Sequence, residues 1–218
     1  MTPPLFRLHR AIHFAIKTHE IYQKQKRKGK DVSYVTHPLT AGILLGRVGA
    51  SEDVIIAGIL HDTIEDCSQK KPVDCEMLAK RFGEHVAELV MNVTEKNRDT
   101  DSWEKRKSLA LRHISSFSRD ALLVKSADVI SNMGETLDDY ARHGNKVFQR
   151  FHATRNEFLT HYIKVITKIL KCWSRNPFAK DLKFLLLELQ KIKKTPSDQL
   201  PKKRLQLRKI FSFLPPYK

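Results

Sequence analysis

Apolar residues recur at three- and four-residue intervals along nearly the whole chain, the period of a helix with one buried face. Leu5, Leu8, Ile12, Ala15, Ile16 and Tyr22 follow it and predict an amphipathic first helix. Thr36 is placed to cap a second helix, with Pro38 in its first turn and Leu39, Ile43 and Leu44 as its apolar positions. Gly49 separates it from a third helix, capped by Ser51, with Glu52 and Asp53 at its positive end. A short helix from about Asp74 and another after Gly83 follow, the latter with Val86, Leu89, Val90 and Val93 inward. Residues 103–115 read as a charged helix, and Ser118 as the cap of one running through Leu122, Val124 and Ala127. Beyond Gly144 a long amphipathic helix reaches roughly Trp173, and a last one covers residues 181–194. Strand alternation and hairpin dipeptides are missing, so the predicted fold class is all-α, a helical bundle without a sheet.

One helix breaks this pattern. The third carries Val54, Ile55, Ala57, Ile59 and Leu60 and then runs into His61-Asp62-Thr63-Ile64-Glu65-Asp66. An apolar helix ending in four ionisable groups needs something to hold those charges, because burying a charge without a partner is costly. A divalent cation does so most simply. His37 opens the second helix and Asp128 lies in an otherwise apolar one, and two imidazoles with two carboxylates suit a first-row divalent ion. Glu65 follows His61 by four residues and Asp66 follows Asp62 by four, so on a continued helix each pair shares a face. A carboxylate one turn from the metal is well placed to take a proton from an attacking water. Lys125, Asp128 and Asn132 also share a helical face.

The order His37, His61-Asp62, Asp128 resembles the HD superfamily of metal-dependent phosphohydrolases, more closely the small alarmone hydrolases and the hydrolase domain of RelA/SpoT-type enzymes. The elements that carry the resemblance are Arg27-Lys28-Gly29 before Tyr34 to Pro38, then Leu60 to Asp66. Phe82-Gly83, Val86, Leu89-Val90 and Val93-Thr94 follow, and finally Lys125, Ala127-Asp128 and Asn132. It holds from about residue 5 to 170. The resemblance implies that His37, His61, Asp62 and Asp128 bind the metal, typically Mn2+, and that Glu65 and Asp66 position and activate the attacking water. It implies that Lys26, Arg27, Lys28, Lys125 and Asn132 lie at the substrate. The activity implied is hydrolysis of the 3′-pyrophosphate of (p)ppGpp, the alarmone of the stringent response, giving GDP or GTP and pyrophosphate. This chain departs from the family at Ser33, Val129, Ser131 and Gly134, where a Pro, a basic residue, a His or Tyr, and frequently an Arg stand. Those departures bear on the substrate, not on the ligand set.

Composition narrows the setting. A chain of 218 residues fits one domain plus a tail, expected as residues 1–194 for the hydrolase domain and 195–218 for a basic segment interrupted by prolines. The formal charge of +16 admits nucleic-acid binding through that tail, but no nucleic-acid-binding signature accompanies it, and a small polyanionic nucleotide is the favoured partner. Three cysteines without a Cys-x-x-Cys pair read as reduced thiols. With no run of eighteen apolar residues and no signal-peptide pattern, a cytoplasmic protein off the membrane is expected. Two alternatives stay open: an HD phosphohydrolase for another phosphorylated nucleotide, such as a nucleoside monophosphate or NADPH, and a non-catalytic protein binding nucleotide or RNA. Oligomeric state cannot be read from the sequence.

Overall fold

The computed structural model describes residues 4–67, 71–95 and 101–196. Among these are nine α-helices, here α1 (Pro4–Ile16), α2 (Thr36–Arg47), α3 (Glu52–Leu60), α4 (Cys75–Phe82), α5 (Glu84–Val93), α6 (Trp103–His113), α7 (Arg119–His143), α8 (Arg155–Cys172) and α9 (Ala179–Lys194). No strand occurs among the described residues; an isolated bridge joins Lys26 to Ser33. From residue 197 on, the expected basic tail lies outside the described residues. No described helix is long and apolar enough to cross a membrane, and the three cysteines are free.

Helix α7 is the axis of the bundle. Its buried residues run from Ala121 to Tyr140, and it packs against α2, α3, α5, α8 and α9. The helices begin where short polar side chains supply the first-turn amides with acceptors. Ser51, Asp74, Ser102 and Ser118 do so for α3, α4, α6 and α7. Thr154 and Glu157 form a reciprocal capping box at α8. Helices α2 and α3 approach closely because they meet at glycines: a Cβ on Gly42 would collide with Ile59, and one on Gly58 with Leu45.

Four local expectations need correction. Thr36 does not cap α2; it is the first helical residue, and its hydroxyl donates to the Ser33 carbonyl instead. Ile43 is 66% exposed, because α2 turns Ala41, Gly42 and Leu45 inward to meet α3 and α7. Helix α1 continues over residues 17–22 as a wider π-helical turn, which leaves Tyr22 exposed. The regular part of α3 stops at Leu60. His61 Nδ1 donates to the Gly58 carbonyl at 2.8 Å and Thr63 Oγ1 to the Leu60 carbonyl at 2.7 Å, so side chains take carbonyls at the helix end. Residues 61–66 follow as turns, one of which, Asp66 N to Asp62 O at 2.9 Å, keeps the four-residue spacing of that pair.

Candidate metal centre

Three elements bring the ionisable groups together. His37 is the second residue of α2, His61 and Asp62 leave the C-terminus of α3, and Asp128 lies in the middle of α7. His37 Nε2 and His61 Nε2 are 3.1 Å apart. Asp128 Oδ1 lies 3.4 Å from the first and 3.8 Å from the second. Asp62 Oδ2 lies 3.5 and 3.2 Å from the same two nitrogens. Donors that share one ion through bonds of about 2.1 Å stand about 3.0–3.4 Å apart, so this spacing fits a single divalent cation. His37, His61 and Asp128 each offer a donor atom within 4.8 Å of the others. Asp62 reaches both imidazoles while its carboxylate also holds the phenol of Tyr34.

The imidazoles are fixed in the tautomer a cation requires. The outer nitrogen of His61 donates to the Gly58 carbonyl, which turns Nε2 toward the centre, where it can bind a cation once its proton is lost. The outer nitrogen of His37 meets Ser131 Oγ at 2.8 Å, and that hydroxyl in turn donates to the His37 carbonyl at 3.4 Å. Tyr34 donates its phenolic proton to Asp62 Oδ2 at 2.6 Å. Asn132 donates to Asp128 Oδ1 at 2.7 Å, and the Lys125 ammonium pairs with Asp128 Oδ2 at 2.7 Å.

The electrostatics follow from this crowding. Burial pushes the His37 imidazole below its ordinary range. Burial also opposes charge on His61, but the adjoining Asp62 and Asp128 overcome it and raise the group to about 9. Against the same burial, the imidazoles hold Asp62 below the carboxylate range, and Lys125 with both histidines does so for Asp128. The centre therefore keeps two ionised carboxylates ready for a cation.

Glu65 lies beyond these donors and accepts the backbone N–H of Glu95 at 3.1 Å. Burial first, then Asp62 and Asp66, push its carboxyl up to about 7. Glu95 is itself clamped by Arg106 at 2.8 Å and Lys107 at 2.9 Å, two residues of α6. Asp66 Oδ2 accepts from Gln25 at 2.9 Å.

Of the basic residues expected at the substrate, Arg27 reaches the centre. Its Nη2 donates to Asn132 Oδ1 at 2.8 Å, and its guanidinium lies 5.4 Å from the centre of the Tyr34 ring. Lys26 points outward to the exposed Asp31, 2.9 Å away. Lys28 stands 6.0 Å over the Phe151 ring. The ammonium of Lys125 is spent on Asp128.

Tyr34, Ser131 and Glu135 carry structural roles here that sequence reasoning did not assign. In the sequence Ser131 stands out only as a departure from the family pattern. Glu135 stands three residues after Asn132 and seven after Asp128 on α7, a spacing that puts it on their face but does not show its partner at Arg27. His161 is a further case: burial first, then Lys107, Lys125 and Lys164, lower its imidazole to about 3, and its ring meets Trp103.

The geometry has relatives. The chain is 32% identical over 125 residues to the guanosine-3′,5′-bis(diphosphate) 3′-pyrophosphohydrolase MESH1 of Xenopus tropicalis, covering 56% of this chain and 65% of that one. It is 40% identical over 88 residues to the guanosine-3′,5′-bis(diphosphate) 3′-pyrophosphohydrolase of Aquifex aeolicus, covering 40% of this chain and 12% of that protein. A GTP pyrophosphokinase of Myxococcus xanthus is 32% identical over 168 residues, 66% of this chain and 22% of its own length. The chain thus spans less than two thirds of each of these proteins. Among solved structures, a metazoan ortholog of SpoT described as hydrolysing ppGpp superposes with a TM-score of 0.66 at 23% identity, covering 85% of this chain and 94% of that one. A Listeria monocytogenes protein gives 0.62 at 24% identity, covering 73% and 99%. Both share the fold. The HD-domain family model matches residues 11–158, a span that contains all four donors on α2, α3 and α7, and the chain belongs to that family.

Proposed function

We propose that this protein is a metal-dependent phosphohydrolase that removes the 3′-pyrophosphate of (p)ppGpp, leaving GDP or GTP. The observation that supports the reading is that Asn132 accepts from Arg27 and donates to Asp128, so a cation held by the four-donor cluster would stand near a guanidinium suited to phosphate. The names of the Xenopus and Aquifex relatives support the substrate.

His37, His61, Asp62 and Asp128 would hold the cation, with Mn2+ the preferred ion. When bound, it supplies a Lewis acid for the scissile phosphate and makes a water acidic at neutral pH. Glu65 is assigned as the proton acceptor, since a carboxyl raised to about 7 is matched to that task at neutral pH. Asp66, held by Gln25, assists in orienting the water. Arg27 faces the substrate phosphates, Asn132 links it to the cluster, and Lys125 keeps Asp128 in place. Lys26 and Lys28 are assigned to longer-range attraction of the polyanion. With three free cysteines, we place the protein in the cytoplasm.

A second reading, another phosphorylated nucleotide as substrate, is favoured by α7: Val129 is 1% exposed, Ser131 is spent on His37, and residue 134 is a glycine. A hydrolysis screen with manganese across ppGpp, pppGpp, NADPH and nucleoside monophosphates decides, with Asp62→Ala as control. Pyrophosphate released from ppGpp, and lost in the control, is the expected result. Turnover of NADPH or a monophosphate alone would overturn the alarmone reading.

A further inference from the structure

The polar face of α7 does not end at the metal centre. Lys125, Asp128, Asn132, Glu135 and Asp139 are spaced three, four, three and four residues apart, which aligns them along one side of the helix. The loop carrying Arg27 and Lys30 lies across the far end of this stripe. Glu135 Oε2 accepts from Arg27 Nε at 2.8 Å and from Arg27 Nη2 at 2.5 Å, while Glu135 Oε1 takes the Lys30 ammonium at 2.7 Å. Asp139 takes the same ammonium at 2.5 Å and Arg150 at 2.7 Å. The side chains of Arg27 and Asp139 are only 12% and 7% exposed, while Glu135 and Lys30 stay half-buried.

The consequence lies in which edges of the guanidinium are occupied. Arginine offers five N–H donors in a rigid planar fork. Glu135 occupies the Nε and Nη2 edge, and Asn132 Oδ1 takes a further Nη2 donor. Among the described residues no acceptor meets Nη1, and Asn132, which takes an Nη2 donor, itself donates to Asp128 of the candidate metal centre. We propose that Glu135 is the positioning residue that turns Arg27 so that Nη1 faces a phosphate of the substrate. It acts through Arg27 and touches no reacting atom. The inference deepens the phosphohydrolase reading and rests on it for the substrate, but not for the phosphate contact.

Inorganic pyrophosphate with manganese in excess is the probe, its affinity measured by calorimetry for wild type, Glu135→Gln, Arg27→Ala and the double variant. Lys30→Ala controls for mere anchoring of the loop, since it removes the other partner of Glu135. Glu135→Gln should weaken pyrophosphate about tenfold, the scale of a charge-assisted hydrogen bond. The double variant should be no weaker than Arg27→Ala, because Glu135 has no other route to the ligand. In turnover of ppGpp, Glu135→Gln should raise KM by a similar factor and change kcat less than about threefold. Unchanged affinity in Glu135→Gln, losses that add in the double variant, an equal loss in Lys30→Ala, or no pyrophosphate binding by wild type would each overturn the proposal. If wild type binds pyrophosphate and the cycle behaves as expected while ppGpp is not hydrolysed, the substrate assignment fails and the positioning role stands.

Discussion

The phenol of Tyr34 donates a 2.6 Å hydrogen bond to Oδ2 of Asp62, the same oxygen that stands 3.2 and 3.5 Å from the two histidine nitrogens. One lone pair of that carboxylate is thus engaged from the loop before α2 while the oxygen faces the cation site. Partners of this kind orient the ligands they touch, and losing one typically costs about 10–100-fold in metal affinity or activity.

Tyr34→Phe tests this directly. Removing the hydroxyl frees Asp62 to rotate, and manganese affinity measured by calorimetry should fall by about tenfold. The ring stays, and with it the contacts to His19 and His37, so the melting temperature should move little. Unaltered manganese affinity would remove Tyr34 from the site.

Ser131→Ala makes a different demand. Ser131 is buried and its hydroxyl accepts the outer N–H of His37. Without it that donor is left unsatisfied in the interior, a cost of about 1–3 kcal/mol in stability. The imidazole also loses its orientation, so metal affinity should drop by at least about tenfold. Urea denaturation and metal titration should both report the change; if only stability moves, Ser131 is packing and not part of the metal centre.

Much of this centre was legible in the sequence, and the reason is local. Candidate ligands that come in a dipeptide, His61-Asp62, or at a helix start, His37-Pro38, announce themselves by polar, ionisable groups in apolar surroundings. The helices α3 to α5 were equally legible, since Ser51, Asp74 and Gly83 mark their starts. What escaped is whatever depends on a partner distant in the chain. Ser131 reads as an unremarkable helix residue until α2 is laid beside α7, 94 positions from His37. Glu135 needs the loop at Arg27, 108 positions away, to become more than a solvated acid. The end of α3 escaped for a different, local reason: periodicity cannot show that His61 and Thr63 turn back on carbonyls three residues earlier.

The glycine contact between α2 and α3 sets the distance between His37 and His61. Gly58→Ala introduces a methyl group where Leu45 already stands, at full burial. Overpacking of this kind costs about 1–3 kcal/mol. Because the two helices carry one imidazole each, the strain should also separate the Nε2 atoms, weakening metal binding beyond the loss of stability. A variant with lowered melting temperature and wild-type manganese affinity would show that the helix spacing and the donor spacing are independent.

The pH dependence of the metal-free protein sets Glu65 and His61, raised groups that lose stability as pH rises, against His37 and His161, lowered groups that gain it up to 6.5. Glu65 is raised by burial from 4.5 to about 7, so between those values the unfolded chain ionises it and the folded chain does not. That favours unfolding as pH rises, by about 3 kcal/mol once pH exceeds 7. His61 is raised from 6.5 to about 9, burial being outweighed by Asp62 and Asp128. Its contribution is fully present below 6.5 and disappears as pH rises to 9. Asp62 and Asp128, both held low, contribute stability that is lost only below the ordinary carboxylate range, outside this window. With a chelator present, stability by urea denaturation relative to Glu65→Gln should therefore fall from pH 4.5 to 7 and hold constant above it, since the histidines titrate in both proteins. Manganese should reverse the trend, because the cation needs His61 without its proton and its affinity must rise toward pH 9. A metal-free wild type whose stability tracks that of Glu65→Gln between pH 4.5 and 7 would show that Glu65 is not a buried, neutral carboxyl, and its assignment as the proton acceptor would fall with it.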